Sequence, residues 1–172
     1  IYQVRSPTMN SIAPNSMIAR ILLGFLSTAG IFYINIMPAL VSGLQTALHF
    51  TSSEAGFISS ANLYGAAFGA MLAVVLVKKI AWRKWAYSLL VALICLDACS
   101  MWINDSTLMM VFRTLHGVIG GLLVGIGFSV IARTQEPDKT FGYLLFIQWG
   151  LGGLGIMFLP QMVPVFGISA LF

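Results

Sequence analysis

Charge is scarce in this chain: Asp, Glu, Lys and Arg make up 8% of its 172 residues. Soluble domains carry about 25%, because their surface must meet water. With 59% hydrophobic residues and a mean hydropathy of +0.93, the chain cannot clothe a water-facing surface of its own size, and lipid is the solvent that suits it. Cysteine is nearly absent. Cys95 and Cys99 fall in one apolar run, which argues against a structural disulfide, and they lack the companions of a metal site. Soluble chemistry is missing too: there is no phosphate loop, no His-Glu-x-x-His, no paired-cysteine metal motif and no nucleophile elbow. No cofactor, metal or catalytic residue is expected. The net charge of +4 does not point to nucleic acid, because the basic residues lie between apolar runs and form no soluble basic face.

Long apolar runs are what the chain has. After a polar lead-in over residues 1–18, containing Pro7 and Pro14, come five: about Ile21 to Val41, Gly56 to Val77, Trp85 to Ile103, Leu108 to Ala132 and Phe141 to Phe166. Each approaches or exceeds the ~20 residues a helix needs to cross ~30 Å of hydrocarbon. Backbone groups in lipid must pair within their own segment, and the runs show none of the alternation of barrel strands, so helix follows. A cleaved signal peptide is the rival reading of the first run, but its length and the four runs behind it favour a retained span. The expected fold is an all-α membrane bundle over residues 19–172, with five full transmembrane helices. Gly167 to Phe172 read as the opening of a sixth, and the chain as a fragment of a longer protein.

The connections carry a second signal. Arg5 and Arg20 precede the first run, Lys78, Lys79, Arg83 and Lys84 join the second to the third, and Arg133 and Lys139 join the fourth to the fifth. The alternate links, around His49 and Asn104, contain no Lys or Arg. If each run crosses once, eight of the nine basic residues share one side, which the positive-inside rule makes cytoplasmic. Trp82, Trp85 and Trp102 mark the ends of the third run as interfacial anchors.

Arg113, the ninth, lies inside the fourth run, where a central charge costs about 2.5–3.5 kcal/mol on insertion scales. Gly117, Gly121, Gly125 and Ser129 follow it at four-residue steps, with His116 and Gly120 beside them. Two compatible readings stand. Arg113 and His116 line a polar cavity, or the glycines admit a neighbouring helix while Arg113 snorkels outward. Asp97, the one acid within a run, lies eight residues before Asp105, and Arg113 lies eight after it. Both therefore sit roughly 12 Å from the outer turn at ~1.5 Å rise per residue, in reach of an ion pair if the helix rotations allow. A structural pair is the leading role for Asp97 and a proton-coupled one the rival. Other polar residues recur: Ser27, Thr28, Tyr33 and Asn35 in the first run, Ser59, Ser60, Asn62 and Tyr64 in the second, and Gln148 among the glycines of the fifth. Singly they read as interhelical glue. Together they suggest a hydrated path.

In order and topology the chain resembles the N-terminal six-helix half of the major facilitator superfamily. Tyr33, Asn35 and Pro38 resemble that family's first helix. Ser52-Ser53-Glu54-Ala55-Gly56, leading to Asn62-Leu63-Tyr64-Gly65 and Gly69, resembles the entry to its second. Lys78-Lys79-Ile80-Ala81-Trp82-Arg83-Lys84 stands where the family carries Gly-x-x-x-Asp-Arg-x-Gly-Arg-Arg, keeping the basic character without the acid and glycines. Arg113-Thr114-Leu115-His116-Gly117, with Gly120 and Gly121, is similar to the helix-four motif, whose arginine is tied to coupling in proton-coupled members. The fifth run lacks the Gly-Pro pair of the antiporter signature, so drug export gains no special support. The resemblance implies alternating-access transport of a small organic solute in the cytoplasmic (inner or plasma) membrane, between two bundles of which this is one. The partners implied are lipid, the solute, protons and the missing C-terminal half. The candidate binding or coupling residues are Arg113, His116, Asn35, Tyr33, Asn62, Gln148 and Asp97, and Arg113 suggests an anionic solute. The rival readings are a non-transporting membrane subunit or receptor, and an inactive truncated transporter.

Overall fold

A computed structural model of the chain describes residues 16–172. It is all-helical: α1 (Met17–Asn35), α2 (Met37–Ala47), α3 (Ser52–Leu76), α4 (Trp82–Ser100), α5 (Ser106–Ile131) and α6 (Pro137–Phe166), with a closing 3₁₀ turn at Gly167–Ala170. The described residues contain no strand. Arg5, Pro7, Pro14 and the rest of the lead-in before Ser16 lie outside the described residues.

Helix starts follow local chemistry. Ser16 accepts from Ala19 N–H at the head of α1, Asp105 accepts from Leu108 N–H at 2.7 Å at the head of α5, and Thr51 with Glu54 forms a capping box on α3. Glu54 also accepts from Ser106 Oγ at 2.8 Å, tying the starts of α3 and α5 together. The first apolar run is one helix in the sequence reading and two in the structure. The break falls at Ile36 (φ −100°, ψ 14°), because Pro38 offers no N–H to the Ile34 carbonyl and its ring crowds that turn. Pro160 and Pro164, by contrast, are carried inside α6.

Among the described residues four stretches are long and apolar enough to cross a membrane: Met17–Asn35, Ser52–Leu76, Ser106–Ile131 and Pro137–Ala170. The expected count of five full spans is therefore corrected to four. The exception is α4, which carries Arg83, Lys84 and Asp97 in only 19 residues. The expected opening of a sixth span is corrected too. Gly167, at φ +64°, ends α6 and the chain turns back through the 3₁₀ turn, so that Leu171 is buried beside Gly43 of α2.

The core falls into two clusters at opposite ends of the bundle. One gathers Tyr33, Ile36, Leu40, Leu44, Ile58, Ile103, Met109 and Leu171. The other gathers Ala86, Leu89, Leu93, Leu123 and Ile126, with Ile80, Trp82 and Val130 packed on it. The second end is also where Arg20 of α1 pairs with Glu136 before α6, and Lys139 pairs with the same carboxylate. The three basic links thus meet at one end of the molecule. Large apolar side chains point outward along its flanks, among them Phe57, Phe68 and Met71 of α3, Val91 and Ile94 of α4, and Phe146 and Trp149 of α6, as lipid-facing surfaces require.

At the heart of the bundle α5 packs on α3 through glycine. A Cβ at Gly117 or Gly121 would run into the backbone carbonyls of Asn62 or Ala66, and one at Gly65 or Gly69 into those of Thr114 or Val118. Only hydrogen fits, so the two backbones lie in direct contact. Gly125 meets Ala73 on the same seam, while Gly120 meets the Gly30 carbonyl of α1.

Candidate functional site

With α3 and α1 set close against α5, the polar residues of four helices converge. Arg113 on α5 is wholly buried. Its Nη2 donates to Asp97 Oδ1 of α4 at 3.1 Å and to Ser100 Oγ. The rings of Tyr33 and Phe172 cover its guanidinium, with centroids 4.9 and 4.6 Å from Cζ. Nε and Nη1 find no hydrogen-bond partner among the described residues, so ring faces and one carboxylate supply the compensation for burying this charge.

His116, one turn along α5, reaches the same carboxylate oxygen: Nε2 stands 3.3 Å from Asp97 Oδ1. Its other nitrogen, Nδ1, lies 3.4 Å from Asn62 Nδ2, which also donates to the Arg113 carbonyl at 3.0 Å. Since the Asn62 amide can only donate, Nδ1 is the acceptor and Nε2 carries the proton. His116 is thereby a neutral donor to Asp97. Tyr33 meets the His116 ring edge-on at 4.6 Å and donates its hydroxyl to the Leu171 carbonyl at 3.0 Å.

This cluster closes one side of a cavity of about 470 Å³. Its walls come from α1 (Phe25, Thr28, Phe32, Tyr33), α4 (Leu90, Leu93, Ile94, Asp97), α5 (His116), α6 (Leu151, Leu159) and the closing segment (Leu171, Phe172). Arg113 is not among the lining residues. The charged group that does reach the cavity is Asp97, whose side chain is 21% exposed. Thr28 is buried there, and its hydroxyl finds no partner among the described residues.

No family model matches the chain, and neither a curated protein nor a solved structure matches it. The site is read from its own geometry.

Of the seven candidates from the sequence, five assemble here: Arg113, His116, Asp97, Tyr33 and Asn62. Asn35 and Gln148 stand apart as a pair joining α1 to α6, Gln148 Nε2 donating to Asn35 Oδ1 at 3.2 Å, with Asn35 Nδ2 left unpartnered among the described residues. Gly117, Gly121 and Gly125 lie on the α3 seam, away from the cavity. Lys78, Lys79, Arg83 and Lys84 are exposed at the far, basic end. Ser100 and Phe172 were not singled out as members of the cluster, whereas Thr28 was named with the polar residues of the first run. Ser100 lies three residues after Asp97 and shares its helix face, a spacing that could have revealed it.

Proposed function

We propose that this chain forms one bundle of a secondary transporter, of the kind the major facilitator resemblance implies, that moves a small organic solute across the cytoplasmic membrane by alternating access. The observation that carries the reading is the cavity itself. A space of about 470 Å³, bounded by helices whose outer faces suit lipid, has on its wall the Asp97 carboxylate, paired behind it with the buried Arg113. Intramembrane charges are costly and are retained where they serve a path or a coupled ion. On this reading the basic links, gathered at one end, lie at the cytoplasmic face, and the N-terminus with them. The fold's missing wall is a second bundle, and the proton is the candidate driving ion.

The test needs no knowledge of the solute. In the full-length protein with Cys95 and Cys99 changed to serine, Ala29→Cys places one thiol at a partly exposed position on the cavity wall. A membrane-impermeant maleimide is then offered to right-side-out and inside-out vesicles. Alternating access gives labelling from both sides. Labelling from one side only, as a receptor or static subunit would show, overturns the proposal.

A further inference from the structure

Arg113 invites the thought of an anionic solute, but it is not the charge a solute would meet. Its guanidinium is fully buried behind the rings of Tyr33 and Phe172, with Nη2 committed to Asp97 and Ser100. His116 reaches the cavity, but as a neutral ring whose Nε2 proton is directed at Asp97 Oδ1. What remains facing the space is Asp97.

The carboxylate is half used. Its contacts with Arg113 and His116 converge on Oδ1. Oδ2 takes no part in either, although an ionised carboxylate has room for about four hydrogen bonds. The rest of the wall is aliphatic and aromatic, including the rings of Phe32 and Tyr33, whose π-faces favour cations. Because Asp97 stands between Arg113 and the cavity, a ligand at Oδ2 meets the negative charge near at hand and the positive one farther off.

We infer that the cavity receives a compact apolar organic cation, a protonated amine, with the Asp97 carboxylate as counter-charge. This rests on the transport reading for its setting and adds the class of solute. An anion of the same shape would face an unshielded carboxylate oxygen and find no cation within reach.

Three adamantane cages of nearly one size separate charge from shape: 1-aminoadamantane, a cation at neutral pH, adamantane-1-carboxylate and 1-adamantanol. Each, radiolabelled, is equilibrated with the full-length protein in nanodiscs, against empty nanodiscs for partitioning into lipid. The expected result is binding of the amine about tenfold or more tighter than the carboxylate, with the alcohol between. Asp97→Asn should then abolish the advantage of the amine over the alcohol. Equal or tighter binding of the carboxylate, absence of binding by all three cages, or an unchanged amine preference in folded Asp97→Asn protein overturns the inference. If Asp97→Asn fails to elute as a monodisperse species, the wild-type ranking decides alone. Two-sided labelling of Ala29→Cys without a cation preference removes the solute class and leaves the transport reading, whereas a cation preference with one-sided labelling does the reverse.

Discussion

Two faces of α5 solve burial in opposite ways. Toward α3 it presents Gly117, Gly121 and Gly125, and the helices close until backbone meets backbone. Where it presents Arg113 and His116, toward α4 and the closing segment, the polar cluster borders an open space instead. On the first face Asn62 serves both sides by bonding the Arg113 carbonyl and His116. The second concentrates its polar groups in one cluster and leaves several of their atoms unpaired. The difference teaches that the stability of this bundle and its capacity to hold a ligand reside on separate faces of one helix. Each can therefore be altered alone.

The sharpest way to break that division is Arg113→Ala. Removing one partner of a buried pair strands Asp97 and strips Tyr33 and Phe172 of their contact, so a loss of about 3–5 kcal/mol is expected in unfolding of the purified protein. Adding Asp97→Ala should return part of that loss. A double variant worse than the single would show that the two residues do not act as a pair.

Next comes Gly121→Ala. Its new Cβ would collide with the Ala66 carbonyl, forcing α3 and α5 apart at a cost of about 1–3 kcal/mol. Thermal denaturation in detergent measures it, and binding at the cavity should survive in the fraction that folds. Gly153→Ala on α6 is the control for that comparison. A Cβ there meets nothing within 4 Å, so the helix should gain up to about 1 kcal/mol from propensity alone. A loss similar to that of Gly121→Ala would place a helix against this face.

The smallest effect is expected at the basic end, where Glu136 lies. Hydrogen bonds from Lys139 and then Arg20 hold its carboxyl below the usual range. A depressed acid contributes stability above its unfolded pKa and loses it as pH falls through its folded value. The contribution should therefore be complete at neutral pH and fade below about pH 4. Acid titration of the Glu136→Gln protein beside wild type should show the two curves converging there; a gap that widens in acid would contradict the assignment.

Much of this was readable from residue order. Composition and run length demanded membrane helices, and the charges in the links placed three connections together before any coordinates. The common depth of Asp97 and Arg113 followed from counting eight residues either side of Asp105. What could not be read was rotation. When a helix is apolar on every side, as α3 nearly is, local periodicity does not say which face meets protein and which meets lipid. Hence Asn35 was grouped with the cavity although it turns to Gln148, and Arg113 was expected to face a solute although two rings seal it. The span count failed for a related reason. Run length alone counted the third run as a full span, although Arg83, Lys84 and Asp97 all fall within the 19 residues of α4.

The central claim is that α5 is sealed against α3 while the cavity beside its polar cluster is reachable, and single thiols test it directly. Cysteines placed singly at Ala29, partly exposed on the cavity wall, and at Ala66, on the α3–α5 seam, are to be compared for maleimide labelling rate in intact bilayers, with Cys95 and Cys99 replaced. The account predicts rapid labelling at position 29 and almost none at position 66. Equal rates at the two positions, or faster reaction at 66, would contradict it.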